Sequence, residues 1–281
     1  MASKITTIES KKNWLKIDWR EIWSYRELLL LLAKRDVSVI YKQTILGPAW
    51  FLIQPILTSL VFAVVFGRIA KIPTQGLPRF IFYMSGLLMW NYFRGVLEGS
   101  GQVFNHYKQL YSKVYFPRLV APLSLILSNL VYLGLNTIVF ILFYLYYCFV
   151  KDVALHPSWT LVFFPLVVLY VAATALGFGL WIAALTAKYR DLRFALPFIT
   201  QVWLYSTPII YPLKGVVDPF FRTILLLNPM TVAVEACRFM FTSTGAISLP
   251  AIGMGAIIIL VVLTSGLAVF NRVQQTFVDV I

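Results

Sequence analysis

The sequence predicts an all-α membrane protein with six transmembrane helices, and three observations carry that prediction. Hydrophobic residues make up 60% of the 281 and charged residues only 12%, with a mean hydropathy of +0.81. A soluble domain of this length carries roughly twice that share of charge, so the apolar surface exceeds what one aqueous core buries. The apolar residues also fall into runs of about 20, the length that crosses ~30 Å of hydrocarbon. Charge lies mostly between the runs and is biased, with sixteen basic residues in the segments on the N-terminal side of the membrane and seven in those opposite. That sign is the one expected for a cytosolic N-terminus. The net charge of +13 therefore reads as orienting charge, and no nucleic-acid partner is expected.

Residues 1–20 are polar and show neither the apolar stretch nor the small-residue cleavage site of a signal peptide, so they are expected to stay in the cytosol. Residues 21–34 pair Trp23, Tyr25 and leucines with Arg26, Glu27 and Lys34. The apolar run is too short to span, and an interfacial amphipathic helix is expected, with its connection running to 45. Packing on a partner fits the same pattern. The six spans are expected near 46–66, 80–104, 119–149, 159–186, 195–213 and 249–270, within one domain at 46–270. Residues 105–118 form an amphipathic connection, 187–194 a basic turn, and 271–281 a cytosolic tail. The apolar runs in 214–243 are short and split by Asn228-Pro229, which predicts two half-helices that dip into the membrane and return, a re-entrant helix pair before the last span.

Several chemistries are missing. No G-x-x-x-x-G-K-[ST] occurs, so ATP binding by a P-loop of this chain is not expected. No H-E-x-x-H or Cys/His metal spacing occurs, and His106 and His156 read as solvated loop residues. Cys148 and Cys237 make no disulfide framework. Within the spans, Arg94 and Glu98 stand at i,i+4 on one helix face. An intramembrane pair is costly unless it faces a wet cavity or is fully satisfied. It either lines a water-filled path or locks its helix to a neighbour. Trp90, Tyr92 and Phe93 in the second span, and Trp203 and Tyr205 in the fifth, fall in span interiors rather than at interfaces. Such rings suit stacking on sugar C–H faces, or packing between helices.

Five segments then occur in order: YKQTILGPAWFLIQP (41–55), KVYFPRLVAPL (113–123), KYRDLR (188–193), TPIIYP (207–212) and LNPMT (227–231). This set, covering about 35–270, resembles the permease subunits of ABC transporters that export polysaccharides such as O-antigen, capsule or teichoic acid. The resemblance implies a homodimer in the bacterial inner membrane, both termini cytosolic, bound to two copies of a separate ABC ATPase. ATP and magnesium would sit on that partner, and this chain would hold no cofactor and catalyse no reaction. The cargo would be a lipid-diphosphate-linked polysaccharide. By the same resemblance, 105–118 is a coupling helix, with Tyr107, Leu110, Tyr111, Lys113, Tyr115, Phe116 and Arg118 toward the ATPase, joined by Tyr189, Arg190 and Asp191. Residues 21–34 become a gate helix, and Lys34, Arg35 and Lys42 would meet the lipid diphosphate. Trp50, Trp90, Tyr92, Phe93, Arg94, Glu98, Trp203, Tyr205 and Tyr211 would line the substrate path. Two other readings remain. A membrane glycosyltransferase or polymerase needs a catalytic cluster where the loops offer only isolated acids such as Asp152 and Asp218. An ion-coupled secondary transporter predicts inverted repeats and intramembrane carboxylates.

Overall fold

The computed structural model describes residues 18–42, 47–189, 191–246 and 248–277. Among them every regular element is helical. Helices α1 (Trp19–Ser24) and α2 (Arg26–Lys42) precede α3 (Trp50–Phe62), which runs on as a π-helix to Ile69. Then come α4 (Arg79–Gly101), the short α5 (Val103–His106) and α6 (Lys108–Lys113), and α7 (Val120–Phe149). Helix α8 (Phe164–Lys188), entered through a 3₁₀ turn at Trp159–Phe163, leads to α9 (Leu192–Tyr205). The chain ends with α10 (Pro219–Leu227), α11 (Pro229–Thr242) and α12 (Leu249–Phe277).

Four helical stretches are long and apolar enough to cross a membrane: Leu52–Ile69, Val120–Phe149, Trp159–Lys188 and Leu249–Gln274. A fifth is added if the bent pair α10–α11 counts as one span. That is fewer than the six expected, and the shortfall has two causes. Helix α4 is 23 residues, about 35 Å by helical rise, but Arg94 and Glu98 dilute its apolar character. Helix α9 has only 14 residues, about 21 Å, where a span over 195–213 was expected. The chain beyond it, 206–211, is irregular.

Helix α4 is the hub. Nearly all of its first fourteen residues are buried, and it packs against α3, α7, α8, α9 and α11. Two contacts give the direction of α9. Leu196 lies beside Gly101, and Trp203 meets Phe93 with ring centroids 4.9 Å apart. Ile209 then reaches Gly86. So α9 and the irregular segment after it run antiparallel to α4 from Gly101 to Gly86. A short helix is completed by extended chain, and Thr207, Pro208, Ile209 and Ile210 are all buried in protein. Irregular backbone at membrane depth is tolerated only under such cover.

The two ends of the bundle differ in composition. At one end Ile22 and Leu32 of the N-terminal helices pack with Phe104, Tyr107 and Phe116 of the 103–118 connection and with Phe270 of α12. The Thr186 hydroxyl near the end of α8 donates to the Gly101 carbonyl there, at 2.7 Å. At the other end the Ser158 amide donates to the Met240 carbonyl, and the Ser243 hydroxyl to the His156 carbonyl at 2.7 Å. Helix α12 continues without a break to Phe277, into what the sequence marks as a tail.

Helices α8 and α12 cross at glycines, where no side chain keeps the backbones apart. A Cβ on Gly266 would lie 2.6 Å from the Gly177 carbonyl oxygen. The Trp181 indole N–H donates to Ser265 Oγ at 3.0 Å one turn away. Gly266→Ala should therefore lower stability by about 1–3 kcal/mol through overpacking. Gly134→Ala on α7, where nothing lies within 4 Å of the added carbon, should be neutral or stabilising by up to ~1 kcal/mol. Thermal unfolding of the two variants in detergent compares them directly.

Candidate functional site

The 103–118 connection is built on buried rings. Tyr107 caps both α5 and α6 and is 1% exposed, and Phe116 is buried. Phe104 stacks on Phe270 at 4.9 Å and Tyr111 on Phe116 at 5.2 Å. Arg118 lies over the Tyr111 ring at 5.7 Å and donates to the Gln274 carbonyl of α12. Burial pushes the Tyr107 and Tyr111 hydroxyls above the usual phenol range and holds the Arg118 guanidinium below its ordinary value. Of the coupling residues expected within 105–118, Lys113 and Tyr115 are exposed. Tyr107, Tyr111, Phe116 and Arg118 anchor the platform, and Leu110 is half-buried in the same cluster. Tyr189 is exposed beside Lys188, whose ammonium lies 5.2 Å from its ring. Asp191 occupies the N-cap position of α9 without a side-chain cap bond. Arg190 lies outside the described residues.

The surface helix is fastened to this platform through a residue the sequence reading passed over. Asp36 Oδ2 accepts from the Tyr107 hydroxyl at 2.6 Å, and Oδ1 pairs with Arg35 at 2.8 Å. The Arg35 guanidinium sits 4.9 Å from the Tyr107 ring centroid. The Tyr132 hydroxyl of α7 reaches the Asp36 carbonyl at 3.5 Å. Arg35 thus already has a carboxylate partner, Lys34 is exposed, and the Lys42 side chain lies outside what the structure describes. Trp19, Trp23, Leu30 and Leu31 remain exposed on the same helices.

In the middle of the bundle, Arg94 Nε and Glu98 Oε1 stand 2.9 Å apart, and that oxygen also accepts from Thr200 of α9 at 2.7 Å. The two side chains keep 44% and 24% of their exposure. The pair therefore fastens α4 to α9, and it stays open on one side. The aromatics divide. Trp90, Tyr92 and Phe93 are at most 3% exposed and pack inside this chain, so the expected path-lining role does not fit them. The α4 face they occupy is covered by neighbouring helices. Trp50 and Tyr205 are nearly half exposed, and Trp203 and Tyr211 are half-buried.

At the opposite end, α10 and α11 meet at 92°. Pro229 disfavours helix at Asn228, and Asn228 caps α11 by accepting from the Met230 amide at 3.0 Å. Its Oδ1 also accepts from the Trp203 indole N–H at 3.0 Å, and its Nδ2 donates to Thr207 Oγ1 at 2.9 Å. One turn and a half further on, Arg238 and Glu235 form a fully buried pair 2.5 Å apart. Arg238 Nη2 donates to the Pro208 carbonyl at 3.1 Å, and its guanidinium lies 3.9 Å from the Phe82 ring centroid. Glu235 Oε2 accepts from the Ala246 amide at 2.8 Å. Arg238 is one of the seven basic residues counted above on the side opposite the N-terminus, and the structure buries it completely. The i,i+3 spacing in TVAVEACRFMF was the available signal.

Residues 27–242 match the sequence family described as ABC-2 type transporter. The chain belongs to that family. Among curated relatives, the O-antigen export system permease protein RfbA of Myxococcus xanthus is 30% identical over 79% of this chain and 83% of its own length. Two RfbA proteins of Klebsiella pneumoniae are 25% and 24% identical, each over 91% of this chain and 95% of its own length. The matched range takes in nearly all of α2, the 103–118 connection, the Arg94–Glu98 pair and the bent pair, while Ala246 and α12 lie beyond it.

Arg238→Met leaves Glu235 buried without its cation and should cost about 3–5 kcal/mol. The double variant Glu235→Gln, Arg238→Met should recover most of that loss. Unfolding midpoints of the two variants measure the difference.

Proposed function

We propose that this chain is the membrane-spanning subunit of an ATP-driven exporter that moves lipid-diphosphate-linked polysaccharide across the bacterial inner membrane. It works as a homodimer with two copies of an ABC ATPase, which bind ATP and magnesium. The observation that carries the reading is ABC-2 membership together with relatives named as O-antigen export permeases over most of both lengths. Geometry supports it at the end where the N-terminal helices, the 103–118 connection and the end of α12 meet. Buried rings hold that connection while Lys108, Lys113 and Tyr115 point outward. A partner that pushes there acts on a fixed platform, and Asp36 carries the displacement to α2.

Six crossings follow if α4 and the α9 segment cross as well. Helix α4 is long enough, and α9 with 206–211 runs along most of its depth. The platform end is then cytosolic, with both termini, and α10–α11 form the re-entrant pair at the outer mouth. Trp19 and Trp23 suit a headgroup layer. Nothing observed favours a glycosyltransferase or an ion-coupled carrier.

Reconstitution decides this reading. With a P-loop ATPase encoded beside it, the chain should move lipid-linked glycan into vesicles only when ATP is present. Glycan movement that ignores ATP, or none with a competent ATPase, would sink it. Within that assay Tyr107→Phe, which removes the hydroxyl that bonds Asp36 and lies beside Ser124, should lower glycan moved per ATP several-fold while membrane insertion stays normal.

A further inference from the structure

The elbow between α9, α10 and α11 encloses a pocket of about 460 Å³, within the roughly 300–1,000 Å³ of small-ligand sites. Val216, Phe221, Ile224 and Leu225 form its apolar walls, and Trp203, Ser206, Tyr211 and Asn228 carry its polar side-chain atoms. Each of those polar groups already has a partner in the chain. The Trp203 N–H is held by Asn228, and the Asn228 amide serves Trp203, Met230 and Thr207 at once. Ser206 Oγ donates to the Val202 carbonyl at 3.1 Å, and the Tyr211 hydroxyl to the Tyr205 carbonyl at 3.4 Å. With those donor hydrogens taken, only the hydroxyl oxygens of Ser206 and Tyr211 are left to accept from a sugar, too few for its several hydroxyls, at about 1–3 kcal/mol for each one buried unpaired. A hydrocarbon chain has no such need and gains about 25 cal/mol for each Å² it removes from water.

The route in is also visible. Phe220, Phe221, Ile224 and Leu227 of α10 are exposed. Phe221 and Ile224 belong both to that exposed face and to the pocket wall. An apolar helix face of this kind sits in lipid, so the pocket opens onto the lipid phase. We propose that this pocket holds one hydrocarbon tail of a membrane lipid, acyl or isoprenoid, against Trp203. The tail fills the space under the bent pair and braces it. This rests on the membrane placement given above and on neither the ATPase nor the glycan.

The test uses the full chain purified in detergent, with tightly held lipid counted by native mass spectrometry. Wild type should keep a lipid that survives delipidation. Ile224→Phe and Val216→Phe fill the pocket from the helix side and the loop side, and each should cut the retained lipid about ten-fold. Leu249→Phe, on an exposed position elsewhere, should change nothing. A second measurement needs no variant: a diazirine-bearing acyl lipid in nanodiscs should label Val216 or Leu225. Added polyprenyl phosphate that displaces the retained lipid marks an isoprenoid tail, and failure to displace it marks an acyl tail. No retained lipid in wild type, or label confined to outward faces such as Leu260 and Val261, overturns the proposal. Lipid retention is read without ATP, so loss of export and loss of this site are separate results.

Discussion

Hydrocarbon offers no hydrogen bonds, and every polar group placed in it must find a partner within the protein. That constraint governs this bundle most visibly where regular helix gives out. After Tyr205 the regular helical bonding ends in a few turn bonds, and yet the chain continues alongside α4. Its carbonyls and hydroxyls are taken up by side chains from the other arm of the elbow. Arg238 takes the Pro208 carbonyl, and Asn228 takes Thr207 and Trp203. A charge so deep needs its own counter-charge, which Glu235 supplies while its second oxygen holds the chain after α11. The bend at Asn228-Pro229, the irregular segment and the buried ion pair are one solution to one problem.

The opposite end answers to a different demand. There rings fix the chain, helped by Asp36 and Arg118. Phe104, Tyr111, Phe116 and Phe270 stack pairwise, and Tyr107 sits at the joint between α5 and α6. Aromatic packing of this kind resists bending but leaves the charged tips of Lys108 and Lys113 free. One end is thus held rigid by stacked rings and the other holds a bend. Helix α4 touches both, from Gly86 near Arg238 to Gly101 near Thr186.

What the sequence made legible follows the same division. Helices α3, α7, α8 and α12 could be read from length and hydropathy because lipid contact selects composition directly. The break at Asn228-Pro229 could be read because proline chemistry is local. Burial by other helices could not: it leaves no periodic mark on a residue that is apolar either way, so Trp90, Tyr92 and Phe93 looked like lining and proved to be packing. Asp36 and Glu235 were passed over as well. Asp36 acts through a partner far along the chain, Tyr107, which spacing cannot show, whereas Glu235 has its partner Arg238 three residues on, where spacing did offer the signal. The helix within the stretch expected as a span at 195–213 ends early, at Tyr205, because the apolar run continues past it as buried, irregular chain.

The Arg94–Glu98 pair brings these threads to the question of what surrounds the bundle. It lies on a helix whose other residues are mostly buried, yet it keeps substantial exposure. Its neighbour α9 is fastened by a narrow stripe of Leu196, Thr200 and Leu204, while Phe198, Ile199, Gln201, Val202 and Tyr205 stay outward. A half-exposed ion pair facing lipid would cost several kcal/mol. A helix held by one stripe in lipid would be poorly fixed for a structural role. The ion pair is least costly where its open side meets other polar groups or water, and the apolar outward face of α9 where it meets lipid or protein. Within the chain, the Glu98–Thr200 bond is what ties α9 to α4 at this level.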